Sequence, residues 1–457
     1  MAGRDDAEYR RALGARILSE ANDLKRTPEA LASEIDRDIE QVRRVIAGDA
    51  PFELMREVLD LLVARYPVSL RDIWFEPDDT EGGVRIMRSE ESRDSNRVFD
   101  RKDRGGALTP YYEYRDTAMS RLGPFKPEWI QPLRVVSDND PENPDVIYNN
   151  GHLLHQQTFF IGEVNFYWEV GGRRHCAAMN TGGSNYITPF VPHSFTSRNP
   201  DKLGLIIAVT FSGAARRAAA EFARLGPDAG ELSGDLRDPA AAYAARLRRI
   251  RDTESMSIGE LAQRLVGNGI SANRASLLAA GTLPDPGEMP VLASALAVRV
   301  QDLAIIAFSA EDEVVVAQAP GAPRLWPDGN HGTCRLAELA RTCHEPSLRG
   351  FEVEVLTNRD PGPAGDFRHS LHEYLYNYGD VPVILIWNSG HEVLQPGDSA
   401  YVQPMTAHRL LLANAGTPGR VLMVRVGGVL DNAALDEYAR FAPSGRARLA
   451  RETTRWY

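Results

Sequence analysis

Residues 149–156, Asn149-Asn150-Gly151-His152-Leu153-Leu154-His155-Gln156, and residues 189–193, Pro189-Phe190-Val191-Pro192-His193, read together as the ligand set of a mononuclear metal site carried on strands. His152 and Gln156 are separated by an even number of positions, so along a strand their side chains share a face while His155 points the other way. His193 follows a proline-punctuated turn that returns the chain toward the first pair. The usual non-heme Fe(II) centre offers two imidazoles and one carboxylate on one face and leaves three positions open for substrate and O2. Here an amide, Gln156, stands where the carboxylate is expected. A single strand histidine is more often packed or solvated than ligating, and the weight rests on the combination. His175, in the polar turn after Gly171-Gly172, is read as no ligand.

Around this stretch the hydrophobic period is two. From 105 to 212 short aromatic and β-branched runs, such as Thr158-Phe159-Phe160-Ile161 and Val164-Asn165-Phe166-Tyr167-Trp168, alternate with Gly, Pro and Asn clusters. The same texture returns over 323–445, with Val383-Ile384-Leu385-Ile386-Trp387 and the turn Leu394-Gln395-Pro396-Gly397-Asp398. Helical spacing marks 8–75, through Leu13, Ile17, Leu31, Ile35, Val42 and Val45, and again 241–307. Thr27-Pro28-Glu29 and Ser257-Ile258-Gly259-Glu260 are helix starts. Residues 76–103 read as a polar linker or lightly packed crossing, and 213–240 as a short helix and linker.

An order of helical, β, helical, β is internal duplication. The expected fold class is therefore α+β, a tandem duplication of a small helix-turn-helix-like domain (8–75, 241–307) and a cupin β-barrel (105–212, 323–445). The second β half offers His372 and His408. Tyr376, four after His372, is a poor Fe(II) ligand, and Glu373 faces away from His372. That barrel is expected to be degenerate and without metal.

The chain has 457 residues, 43% hydrophobic and 25% charged, with a formal net charge of -11. Such a field repels phosphate backbones, which argues against a nucleic-acid partner and requires any anionic ligand to be held by local cations. Cys176, Cys334 and Cys343 are odd in number and lack CxxC spacing, arguing against disulfides and a thiolate zinc site. No apolar signal core and no run approaching the ~20 residues needed to span a bilayer are present. A cytoplasmic address with no membrane partner is expected.

With Asn149-Asn150-Gly151-His152, Pro192-His193 and the helical-plus-cupin order in hand, nearly the whole chain resembles the phosphonate-processing non-heme iron oxygenases. The resemblance implies Fe(II) as cofactor on His152, Gln156 and His193, and a small phosphonate and O2 as partners, with a homo-oligomer left open. One branch of that family takes a carboxylate ligand six positions before the last histidine. Here that position is Ile187, so the third ligand falls on Gln156, and Gln156 with Ile187 is the pair that implies the type of reaction. The resemblance also implies that Asn149, Arg104, Tyr112 and Lys25 bind the phosphonate, Lys25 reaching in from the helical domain. Taken alone, Lys25 is a solvated helix-end charge and Arg104 part of the basic run Arg101-Lys102-Arg104.

Oxygen needs four electrons, and no reductant or 2-oxoglutarate site is evident, so the substrate should supply them all. 2-Hydroxyethylphosphonate and O2 balance to methylphosphonate, CO2 and water, or to hydroxymethylphosphonate and formate. A neutral Gln156 leaves the metal more positive, which favours keeping formate and so the first outcome. The second outcome is the alternative within the family. Another class is a helix-turn-helix regulator with a sensor barrel, in which residues 27–48 would present Arg37, Arg43 and Arg44. Asp36, Asp38 and Glu40 among those arginines, and the overall charge, stand against it.

Overall fold

In the computed structural model, which describes residues 6–328 and 332–450, the period-two runs become four antiparallel sheets. The first seven-stranded sheet runs, edge to edge, Val314–Ala317, Ser184–Ile187, His155–Ile161, Leu205–Phe211, Phe125–Pro132, Leu108–Asp116, Arg97–Lys102. The second runs Val84–Met87, Ser399–Val402, His372–Asn377, Gly419–Val426, Leu348–Val355, Cys334–Glu338, Arg324–Trp326. A three-stranded sheet lies beside each, built from Arg173–Met179, Val164–Val170 and His193–Ser197 in one case and Gly390–Leu394, Val383–Trp387 and His408–Leu412 in the other.

The edge strands are exchanged. Val314–Ala317, just before the second β half, pairs with Ser184–Ile187, Val314 opposite Ile187. Val84–Met87, before the first, pairs with Ser399–Val402.

This corrects the expected fold class. The architecture is mixed α/β with open sheets, and among the described residues no closed cupin barrel forms. Alternating hydrophobicity says which face of a strand is buried, but it is silent about whether the last strand pairs with the first. Here one edge of each seven-stranded sheet is taken by the exchanged strand. Nor do the helical segments form a clear repeat: the helix Pro28–Glu34 has 7 residues where Ile258–Gly267 has 10, and Phe52–Arg65 has 14 where Met289–Ala295 has 7. Residues 76–103 are not a linker either, for they hold the strands Val84–Met87 and Arg97–Lys102 and the short helix Ser89–Asp94. Their polar sequence reflects edge positions, where side chains face water.

Local signals act as their chemistry requires. Thr27 caps its helix by accepting from the Ala30 N–H at 3.2 Å, with Pro28 at the first helical position. Among the described residues no helix is long and apolar enough to cross a membrane.

The strand His155–Ile161 shows how the faces divide. Phe159, with Ile207 and Val209 of its neighbour, joins Tyr374, Tyr401, Leu422 and Val424 of the second sheet in one apolar cluster. The Phe159 ring lies 4.9 Å from that of Tyr378, and Phe125 5.8 Å from Tyr401. The alternate residues Phe160, Ile206 and Ala208 pack on the three-stranded side with Phe166, Ile187 and Phe195. Phe159→Ala should therefore cost about 3–5 kcal/mol. Calorimetry should show a lowered but still single unfolding transition; two separate transitions would mean that the β halves do not share this core.

Candidate metal and substrate site

Gln156 lies on the inward face of the strand His155–Ile161, while His193 opens the strand His193–Ser197 of the small sheet. His152 sits in the loop that leads into the strand His155–Ile161. Gly151 is at φ 70°, and a Cβ there would stand 2.5 Å from the Phe190 backbone, so the two ligand-bearing loops approach at a spacing only glycine allows. The Phe190 N–H donates to the His152 carbonyl at 2.9 Å.

Asn149 ties the loops together. Its backbone N–H donates to the His193 carbonyl, and its Oδ1 accepts from the N–H groups of His193 (3.0 Å) and Gly151 (2.9 Å). Each imidazole is oriented from its far side: His152 Nδ1 lies 3.1 Å from the Leu154 carbonyl and His193 Nδ1 2.9 Å from that of Val191. A proton on Nδ1 in each ring leaves the Nε2 lone pair directed inward. His152 Nε2 is 3.3 Å from Gln156 Oε1, and the two rings are 5.3 Å apart. Gln156 Nε2 donates to Thr158 Oγ1 at 2.9 Å, which turns the amide oxygen toward the imidazoles. Burial pushes the His193 pKa down to about 4, so the ring stays neutral near pH 7.

Two imidazole Nε2 atoms and an amide oxygen converging on one face fit a divalent ion such as Fe(II). Among the described residues, no group of three His, Cys, Asp or Glu side chains is placed to hold a metal ion; Gln156 falls outside those residue types.

The convergence opens into a cavity of about 270 Å³ walled by Arg101, Tyr112, Tyr114, Lys126, Glu128 and Asn149, among others. The Arg101 guanidinium lies 5.5 Å from the Tyr112 ring centroid and donates to the Ile147 and Tyr148 carbonyls at 3.3 Å. Burial pushes Tyr114 up to about 12 and raises Tyr112 well above its ordinary value, so both phenols keep their protons. Burial also raises the Glu128 carboxyl.

Not every expected residue arrives. His152, Gln156, His193, Asn149 and Tyr112 line the cavity. Ile187 stands opposite Gln156 in strand register, on the same face, and is buried in the apolar cluster beside it rather than in the cavity wall. Arg104 is outside, more than half exposed, with its Nε on Asp145 Oδ1 at 2.8 Å. It occupies the tip of a hairpin in which Asp103 N–H donates to the Ala107 carbonyl and Gly106 has φ 83°. Arg101, earlier on the same hairpin, is the arginine that faces the cavity. Lys25 is also outside, its Nζ donating to the Asp23 carbonyl at 3.1 Å beyond the end of the first helix. Lys126 and Glu128 were missed. Their i, i+2 spacing on a strand already put them on one face, but nothing in that spacing says which face the cavity takes.

In the second half the pair His372 and His408 is corrected. His372 Nδ1 meets Tyr401 Oη at 2.7 Å, as His155 Nδ1 meets Tyr186 Oη at 2.7 Å on the opposite face from Gln156. The residues that converge are His369, Glu373 and His408, with Arg425 against the same carboxylate. The signal was in the sequence, since His152-Leu-Leu-His155-Gln156 returns as His369-Ser-Leu-His372-Glu373.

The chain is 34% identical over 452 residues to the methylphosphonate synthase of Nitrosopumilus maritimus, spanning 97% of this chain and 95% of that one. Among solved structures it is similar to a 2-hydroxyethylphosphonate dioxygenase of Streptomyces albus with 2-hydroxyethylphosphonate and Fe(II) bound, at 33% identity and a TM-score of 0.86, covering 98% of this chain and 100% of that chain. PhpD, solved with cadmium and hydroxyethylphosphonate, shares the fold at 19% identity and a TM-score of 0.71, over 96% of this chain and 99% of its own. No protein-family model matches the sequence.

The buried His193 has a consequence in metal-free protein. Its pKa, about 4 when folded against 6.5 ordinarily, means that the unfolded chain binds more protons between those values. The stability from this neutral ring is full above about pH 6.5 and falls as pH drops toward 4, by up to about 3 kcal/mol. Denaturant midpoints at pH 7 and pH 4.5 should drop further in wild type than in His193→Gln. Equal drops would mean that the ring is not buried neutral.

Proposed function

We propose a function from one premise: the chain belongs to the methylphosphonate synthase family. It is an Fe(II)- and O2-dependent oxygenase that cleaves the carbon–carbon bond of 2-hydroxyethylphosphonate to give methylphosphonate. His152, Gln156 and His193 hold the iron, and residues 105–212, with Arg101 from the preceding strand, form the catalytic unit. Bound there, Fe(II) supplies the redox chemistry that joins O2 to the substrate's four-electron oxidation. The observation that carries this reading is the amide oxygen of Gln156 held beside the inward Nε2 of His152, with both ring orientations set by backbone carbonyls.

The protein's own residues then divide the work. Arg101 and Lys126 are the cavity's cations and bind the phosphonate, a task a chain of net charge -11 cannot leave to its overall field. Tyr112 and Tyr114, kept protonated by burial, offer neutral polar edges without adding negative charge. Asn149 fixes the distance between the two histidine loops. Gln156 brings no negative charge, so an anionic formate left by the cleavage is held more strongly than beside a carboxylate, and is kept long enough to return its hydrogen to the one-carbon phosphonate. Ile187, across from Gln156, supplies an apolar side chain where a carboxylate would bring a negative charge beside the metal ligands. A nucleic-acid partner fits poorly, because Arg43 is bridged to Glu29 and Glu40 and Arg37 to Glu57 on the helices that would have to present them.

Phosphorus NMR after addition of Fe(II), 2-hydroxyethylphosphonate and O2 tests the reading. Methylphosphonate should form, and deuterium placed on the hydroxyl-bearing carbon should appear in its methyl group. Hydroxymethylphosphonate with free labelled formate as the only products would overturn it. Gln156→Glu should move product toward hydroxymethylphosphonate. Arg101→Ala should weaken substrate binding by about 1.5–3 kcal/mol, the worth of a charge-assisted hydrogen bond, while Arg104→Ala should leave it nearly unchanged; the reverse ranking would place the phosphonate at the hairpin tip.

A further inference from the structure

The second pair of sheets holds a cluster that the reaction does not use. In strand register Glu373 stands opposite Arg425, as Gln156 stands opposite Thr210 in the first pair. Glu373 is fully buried. His369 Nε2 lies 2.9 Å from its Oε2 and His408 Nε2 2.6 Å from its Oε1. Each ring is oriented from behind by a carbonyl, Leu371 at 3.0 Å from His369 Nδ1 and Thr406 at 2.9 Å from His408 Nδ1. The arrangement repeats that of His152 and His193, and the third donor is now a carboxylate. Two imidazoles and one carboxylate on one face are the ligand set of a mononuclear divalent-metal site.

One residue differs in a way that matters. Where Thr210 is short and lines the first cavity, Arg425 is long and reaches the carboxylate, its Nε donating to Glu373 Oε2 at 2.6 Å. Its guanidinium lies against Phe367 and Phe351, 5.2 and 5.4 Å from their ring centroids. A buried carboxylate needs a cation, and a guanidinium and a divalent ion are alternative ways to supply it. Both cannot sit on the same carboxylate edge, since their charges repel at short range with little water between them.

We propose that the second half keeps the three side chains of a divalent-metal site, His369, Glu373 and His408, which are not placed to hold an ion while Arg425 occupies the carboxylate as a built-in cation, so that removing this one guanidinium turns them into a metal site. The proposal does not depend on the reaction assigned to the first site. Its test keeps the two apart by working in a His152→Ala/His193→Ala background, with Co(II) as probe. Metal-free full-length protein is titrated with Co(II), followed by its visible absorption and by metal analysis after gel filtration. The background protein should take up no tightly held Co(II), and adding Arg425→Thr should give one equivalent. Adding Glu373→Gln as well should abolish it, and Arg425→Lys, which keeps a cation, should not create it. If circular dichroism shows the Thr variant unfolded, Arg425→Met, which keeps an apolar stem against Phe351 and Phe367, carries the same expectation. A folded Thr or Met variant that takes up no Co(II) would overturn the proposal, as would one equivalent bound with Arg425 intact.

Discussion

The packing of the two seven-stranded sheets against each other constrains the rest of the molecule. Phe125, Phe159, Ile207 and Val209 must face Tyr374, Tyr401, Leu422 and Val424. Because strand side chains alternate, that commitment turns Gln156, Thr158 and Phe160 to the opposite face, toward the small sheet that carries His193. A one-residue slip in the strand His155–Ile161 would put Phe159 into the cavity and Gln156 into the shared core. The position of the amide is thus tied to burial on the far side of its own strand, and the apolar contact acts as a register lock for the polar chemistry.

Electrostatics in the cavity follows from desolvation as much as from charge count. The same burial that keeps His193 neutral and Tyr112 and Tyr114 protonated raises the Glu128 carboxyl. Each shift favours the neutral form of its group. The second half takes the other course. There burial would raise the Glu373 carboxyl, but Arg425 and His408 hold it well below its usual range, so the charge stays and is compensated from within.

How much of this could be read beforehand varies with the physics behind each signal. The convergence of His152, Gln156 and His193 was legible because even spacing on a strand and a proline-marked turn are local facts. The strands before residue 105 were not, since edge strands such as Arg97–Lys102 carry few apolar residues. Arg104 was misplaced and Arg101 overlooked for a related reason. A hairpin tip three residues away and a register shift at Phe99/Asp100 decide which arginine faces inward, and neither is visible in a run of basic residues. Closed barrels were expected because alternation looks the same in open and closed sheets. His369 was within reach, through its five-residue echo of the first site, but aligning on His372 shifted the comparison onto the wrong face.

The exchanged edge strands carry an implication for biosynthesis. Met87 and Ser399, neighbours across a sheet, are 312 positions apart in the chain. When the first β half leaves the ribosome, Ser184–Ile187 has no partner on one side until Val314–Ala317 follows. Val84–Met87 waits until nearly the whole protein has been made. Over that interval the nascent chain shows unpaired backbone N–H and C=O groups along a strand rich in sheet-forming residues, the kind of edge that recruits other chains. Until the exchanged strand has been made, the chain itself has no strand to pair with that edge. It also resists being divided, because either half expressed alone would lack the strand that closes its edge.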